Sequence, residues 1–107
     1  MLKYLIERNL PNVGSLSREE LATLADRSCR ALDEIESDIQ WVESFVTADK
    51  VYSVYIALDQ KLIREHTYRS GSLADSICEV KAVIDPSMAH EAQRAQQHDT
   101  AKEAGIW

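Results

Sequence analysis

Two runs rich in β-branched and aromatic residues, Ile39 to Thr47 and Val51 to Leu58, stand only three residues apart. The residues between them, Ala48-Asp49-Lys50, are short and polar, so the two runs read as strands of one hairpin. A central hairpin constrains the rest of a 107-residue chain strongly. Each of its strands needs a neighbour, and one face of the resulting sheet needs an apolar cover supplied by the segments on either side.

Those segments read as a strand and a helix each. Leu2 to Arg8 is a strand, followed by a loop from Asn9 to Gly14 that contains Pro11. Ser17-Arg18-Glu19-Glu20 forms a capping box, and Leu16 and Leu21 stand at the positions of a hydrophobic staple. Leu21, Leu24, Ala25, Ser28, Leu32 and Ile35 then recur at helical spacing, with Cys29 at the edge of the stripe and the helix ending near Glu36. Asp59 caps a second helix that runs to about Ser70 and stops at Gly71, with Leu62, Ile63, His66 and Thr67 as its inner stripe. A last strand is expected from Ile77 to Ile84, closed by Asp85-Pro86.

The order β-α-β-β-α-β is that of a ferredoxin-like α+β fold. It has a four-stranded antiparallel sheet, two helices on one face, and the first and third strands in the centre. Residues 1–86 make this domain. Residues 87–107 form a polar C-terminal tail or a loosely docked helix whose apolar side is mostly alanine; Ile106 and Trp107 at its end offer an anchor to a partner.

A net charge of -6 leaves no basic surface for phosphate, so nucleic acid is not an expected partner. The N-terminal apolar run is broken by Glu7 and Arg8 and lacks the pattern of a signal peptide. No segment has the apolar length needed to span a bilayer, and the expected location is the cytoplasm. Cys29 and Cys78 lack metal-binding or redox spacing and read as reduced core thiols.

Strand alternation sorts the sheet faces. Placing the more apolar set under the helices assigns Tyr4, Ile6, Val42, Ser44, Val46, Tyr52, Val54, Ile56, Cys78, Val80, Ala82 and Ile84 to that side. The open face then carries Leu5, Glu7, Trp41, Glu43, Phe45, Ser53, Tyr55, Glu79, Lys81 and Val83. This assignment requires an odd-length loop or a bulge in the hairpin; a two-residue turn would carry Ser53 and Tyr55 beneath the helices.

On this assignment the open face mixes aromatics with carboxylates. It suits a partly enclosed chamber made by a second copy packed face to face. Glu7, Glu43 and Glu79 are candidate ligands of nickel or another divalent cation, with pairing to Lys81, Arg8 or a partner's cation as the plainer reading of Glu43 and Glu79. His66, the remaining candidate ligand, reads first as a satisfied core histidine. Trp41, Phe45, Ser53, Tyr55 and Lys81 are candidate pocket-lining residues. A second reading is a dimeric α+β-barrel enzyme acting on a small aromatic or apolar molecule, with Glu7 moving the proton. A third is a partner-binding module using the tail. No glycine-rich phosphate loop or other sign of an organic cofactor is present.

Several segments together resemble a family of short bacterial proteins of largely unknown function that includes a nickel-binding, ferredoxin-like, dimeric member. They are Tyr4 to Arg8, Leu16 to Cys29, Ile39 to Thr47, Val51 to Tyr55, Arg64-Glu65-His66, and Ile77 to Pro86. The resemblance implies the ferredoxin-like fold, a homodimer and nickel binding.

Overall fold

The helix announced by the capping box is α1, Arg18–Glu34. The Glu20 amide donates to Ser17 Oγ at 3.1 Å and the Ser17 amide to Glu20 Oε1 at 3.0 Å, so two of the donors orphaned at the helix start are satisfied reciprocally. The Asp59 carboxylate caps α2, Gln60–Ser70, by accepting from the Leu62 amide at 3.2 Å. Gly71 ends α2 in the left-handed region at φ 77°, where a Cβ would be strained.

The computed structural model describes residues 1–35 and 38–95. Glu36, the expected end of the first helix, and the tail beyond Ala95, including His98, Ile106 and Trp107, lie outside the described residues. A single turn at Pro86–Met88 leads into a short, exposed helix, α3, Ala89–Ala95. Among the described residues no helix is long and apolar enough to cross a membrane.

The strands are β1, Leu2–Asn9; β2, Ile39–Val46; β3, Lys50–Ala57; and β4, Ser76–Glu79. They form one antiparallel sheet in the order β2-β3-β1-β4, with β1 and β3 central as expected. Tyr4, Ile6, Tyr55, Ala57 and Ile63 make the core between sheet and helices, with Ile39, Trp41, Leu62, Ala74 and Ile77 packed around it.

The hairpin departs from expectation in a way that reassigns β3 and part of β2. Val46 pairs with Val51, and the Thr47 amide donates to the Lys50 carbonyl at 2.9 Å, so only Ala48 and Asp49 form the turn. An even turn puts Ser53 and Tyr55 opposite Ile6 and Tyr4, on the helix side. Tyr52, Val54 and Ile56 therefore face outward. A bulge at Val42, between Trp41 and Glu43, then splits β2: Trp41 shares the helix side with Tyr55, while Glu43 and Phe45 remain on the open face.

The fourth strand is also corrected. It is half the expected length, because β1 begins at Leu2 and leaves later residues no edge to pair with. The Val80 amide still donates to the Lys3 carbonyl at 2.8 Å. Ile77 lies opposite Ile6 and Glu79 opposite Tyr4, facing the helix side, whereas Cys78 lies opposite Leu5 on the open face.

The loop after β1 is stitched to the hairpin turn. Leu10 and Gly14 amides donate to the carbonyls of Asp49 and Ala48, each at 2.9 Å, and the Asn12 amide donates to the Asp49 carboxylate at 2.9 Å. Gly14 permits this approach: a Cβ there would lie 2.7 Å from the Thr47 carbonyl oxygen and 2.8 Å from Ala48 Cα. The turn that sets the strand parity is thus held by backbone bonds from outside the hairpin.

Candidate functional sites on two sides of the sheet

Opposite the helices, Leu5, Phe45, Tyr52, Val54 and Ile56 make an apolar surface, with Phe45 53% and Leu5 40% exposed. Glu7, Glu43 and Cys78 stand on the same face. Lys50 reaches Glu7 Oε1 at 2.9 Å, and the carboxylate pushes the Lys50 pKa up. Cys78 is a free, exposed thiol whose Sγ lies 3.5 Å from Ser76 Oγ. Glu7 pairs in register with Ser76, and Cys78 with Leu5, so these two donors occupy adjoining strands two positions apart. Glu43 lies two strands away, beyond β3.

The four residues read from the sequence as metal ligands do not converge. Glu7 and Glu43 keep their expected face. Glu79 turns to the other side of β4 and is held by Lys81 at 2.8 Å, the pairing anticipated as its plainer role. His66 is on the inner side of α2, fully buried, with Nε2 2.8 Å from Tyr55 Oη. Burial, helped by the nearby Arg8 cation, pushes its pKa down to about 4, so the ring is neutral at ordinary pH. Among the described residues no cluster of three or more His, Cys, Asp or Glu could hold a metal within one chain.

The expected aromatic chamber is likewise divided. Phe45 stays on the open face, Lys81 is an exposed partner of Glu79, and Trp41, Ser53 and Tyr55 line a cavity on the helix side. The enzyme reading required Glu7 and Tyr55 in one pocket, and the sheet stands between them. On the cavity side Trp41 Nε1 donates to Ser44 Oγ at 3.0 Å, and the Ser44 and Ser53 hydroxyls are 2.6 Å apart. Arg8 joins this network through Nη1, 3.3 Å from Ser53 Oγ.

Sequence reasoning missed two residues. Arg8, which the sequence offers only as a cation to pair with a glutamate, is buried on the helix side. Cys78, expected in the core, lies on the open face because β4 pairs with β1 one residue out of the expected alternation.

Sheet order, helix placement and the open apolar face together define a ferredoxin-like α+β protein. Residues 4–80 match the family described as nickel responsive protein SCO4226-like, and the chain belongs to that family. Among solved structures it is similar to the crystal structure of SCO4226 from Streptomyces coelicolor A3(2). The identity is 12% and the TM-score 0.65, and the match covers 77% of this chain and 99% of that one. No curated protein matches the chain.

Proposed function

We propose that this is a cytoplasmic homodimer that binds nickel or a similar divalent cation, using donors presented on the open sheet face. The observation that carries the reading is the joint placement of Glu7, Glu43 and the free thiol Cys78 on one exposed apolar face, in a chain belonging to a nickel-responsive family. Carboxylate oxygen and thiolate sulfur together suit a borderline cation, so the donor chemistry fits. Two facing copies would bring the donors of both chains together and cover Leu5, Phe45, Tyr52, Val54 and Ile56. When bound, the cation would replace Lys50 as the partner of Glu7, and metal uptake would release the thiol proton of Cys78.

The test combines light scattering with nickel calorimetry on untagged protein. A dimeric mass and saturable binding are expected, with loss of binding in Glu7→Gln and Cys78→Ser and loss of the dimer in Phe45→Glu. A monomer that binds nickel no tighter than millimolar, or undiminished binding by both donor variants, overturns the reading.

A further inference from the structure

The cavity between α1 and the sheet has a volume of about 200 Å³. Leu21, Leu24 and Ala25 of α1 stand over it only half-buried, and Trp41, Val46 and Val51 bound it from the sheet. Small side chains at Ala25 and Ser28 keep the middle of the helix stripe from filling the space. The walls are therefore largely apolar.

Arg8 enters this cavity from β1 with only 6% of its surface exposed. Its Nε donates to the Ser72 carbonyl at 2.9 Å and its Nη1 to Ser53 Oγ at 3.3 Å. Among the described residues no carboxylate forms an ion pair with it. A guanidinium carries five N–H donors, so these two bonds to neutral oxygens leave most of its capacity, and all of its charge, uncompensated. A buried cation in that state is costly unless an anion joins it.

The neighbouring hydroxyls carry the same imbalance. Ser44 Oγ accepts from Trp41, and Ser53 Oγ accepts from Arg8. Whichever way the bond between the two serines runs, one hydroxyl proton has no acceptor among the described residues. Donors thus exceed acceptors on this wall, beside Arg8, the one buried cation among the described residues. That pattern calls for an anion.

The shape of the space selects among anions. An apolar cavity of about 150 Å³ accommodates benzene, so about 200 Å³ leaves room for a ring and a carboxylate. Arg8 is the buried cation of the lining, and Arg27, its other cation, is exposed to water, so one negative charge is the match; the leucine, valine and indole walls match an apolar body rather than a hydrated inorganic ion.

We propose that this cavity binds an organic monocarboxylate whose apolar part is about the size of one aromatic ring. Its carboxylate would lie on Arg8 and the Ser44–Ser53 hydroxyl pair, and its ring between Trp41 and the α1 leucines. The site lies on the opposite side of the sheet from Glu7 and Cys78, and it does not depend on the metal reading.

Phenylacetate is the probe and phenylacetamide its neutral counterpart, titrated into the full-length Trp107→Phe protein so that Trp41 fluorescence reports alone. Phenylacetate is expected to bind saturably and at least about tenfold more tightly than the amide, a factor worth about 1.4 kcal/mol. Arg8→Gln should abolish that preference, and Ala25→Leu, which keeps Arg8 but fills the space, should block phenylacetate in a chain with native circular dichroism. Should Arg8→Gln fail to fold, the amide comparison and Ala25→Leu decide the matter. No saturable response to phenylacetate, equal affinity for the amide, binding untouched by Ala25→Leu, or equally tight binding of chloride or phosphate would each overturn the proposal.

Discussion

Acid should destabilise this protein through His66 before its carboxylates are titrated. The ring is fully buried, its Nε2 is bonded to Tyr55 Oη at 2.8 Å, and Nδ1 has no partner among the described residues. Burial penalises the charged imidazolium, and the Arg8 cation adds repulsion, so the folded pKa is about 4 against an ordinary 6.5. The folded chain therefore holds this proton less tightly than the unfolded chain. Stability is complete above pH 6.5, declines as pH falls below that value, and stops declining from this cause near pH 4. At about 1.4 kcal/mol per pH unit the full loss is roughly 3 kcal/mol, a large share of the 5–15 kcal/mol typical of a small domain.

The measurement is urea unfolding at several pH values between 7 and 4, on the native protein and on His66→Leu. The stability difference between the two should shift by roughly 3 kcal/mol across that range, against the native protein at the acid end. Proton NMR of the His66 ring should show no titration near neutrality. A ring that titrates near 6.5, or a stability difference independent of pH, would refute the reasoning, because either result means that the ring sees solvent.

Two further substitutions probe the elements that fix the fold. Gly14→Ala would drive a Cβ against the backbone at Thr47 and Ala48, neither of which can yield without disturbing the turn; a loss of about 2 kcal/mol in urea unfolding is expected, in the range of overpacking costs. Ser17→Ala removes one arm of the capping box and should cost about 1 kcal/mol in the same assay, with an unchanged dependence on denaturant concentration.

The local punctuation of this fold was legible in the sequence. Both helix starts follow from a polar cap, and Gly71 supplies the left-handed residue that ends α2. The faces of β3 were not legible by apolarity, and the reason is specific. Its two alternating sets, Tyr52, Val54 and Ile56 against Ser53 and Tyr55, differ in the wrong direction, because the more polar set is the buried one. Burial of Ser53 and Tyr55 is tolerated because Arg8, Ser44 and His66 supply hydrogen-bond partners that no single-strand pattern reveals. A signal did exist on another element. His66 stands on the inner stripe of α2 and needs a polar neighbour across the core. A tyrosine on the facing strand answers that need, and it fixes the parity of the turn.

That parity also decides how the two proposed sites relate. Glu7 and Arg8 are consecutive on β1 and point to opposite faces of a central strand, one to the open apolar surface and the other into the cavity under α1. The two side chains share no bonding partner: Glu7 is held by Lys50, and Arg8 by Ser53 and the Ser72 carbonyl. With the two side chains on opposite faces of the sheet and no shared partner, the substitutions are expected to act nearly additively, although the residues are neighbours in the chain. Glu7→Gln should therefore weaken nickel and leave phenylacetate affinity unchanged, and Arg8→Gln should do the reverse. The double variant should lose both by the factors of the single ones. If Glu7→Gln instead weakened phenylacetate severalfold while the protein remained folded, the sheet would be transmitting a shift from one face to the other, and the picture of β1 as a rigid partition between independent sites would fail.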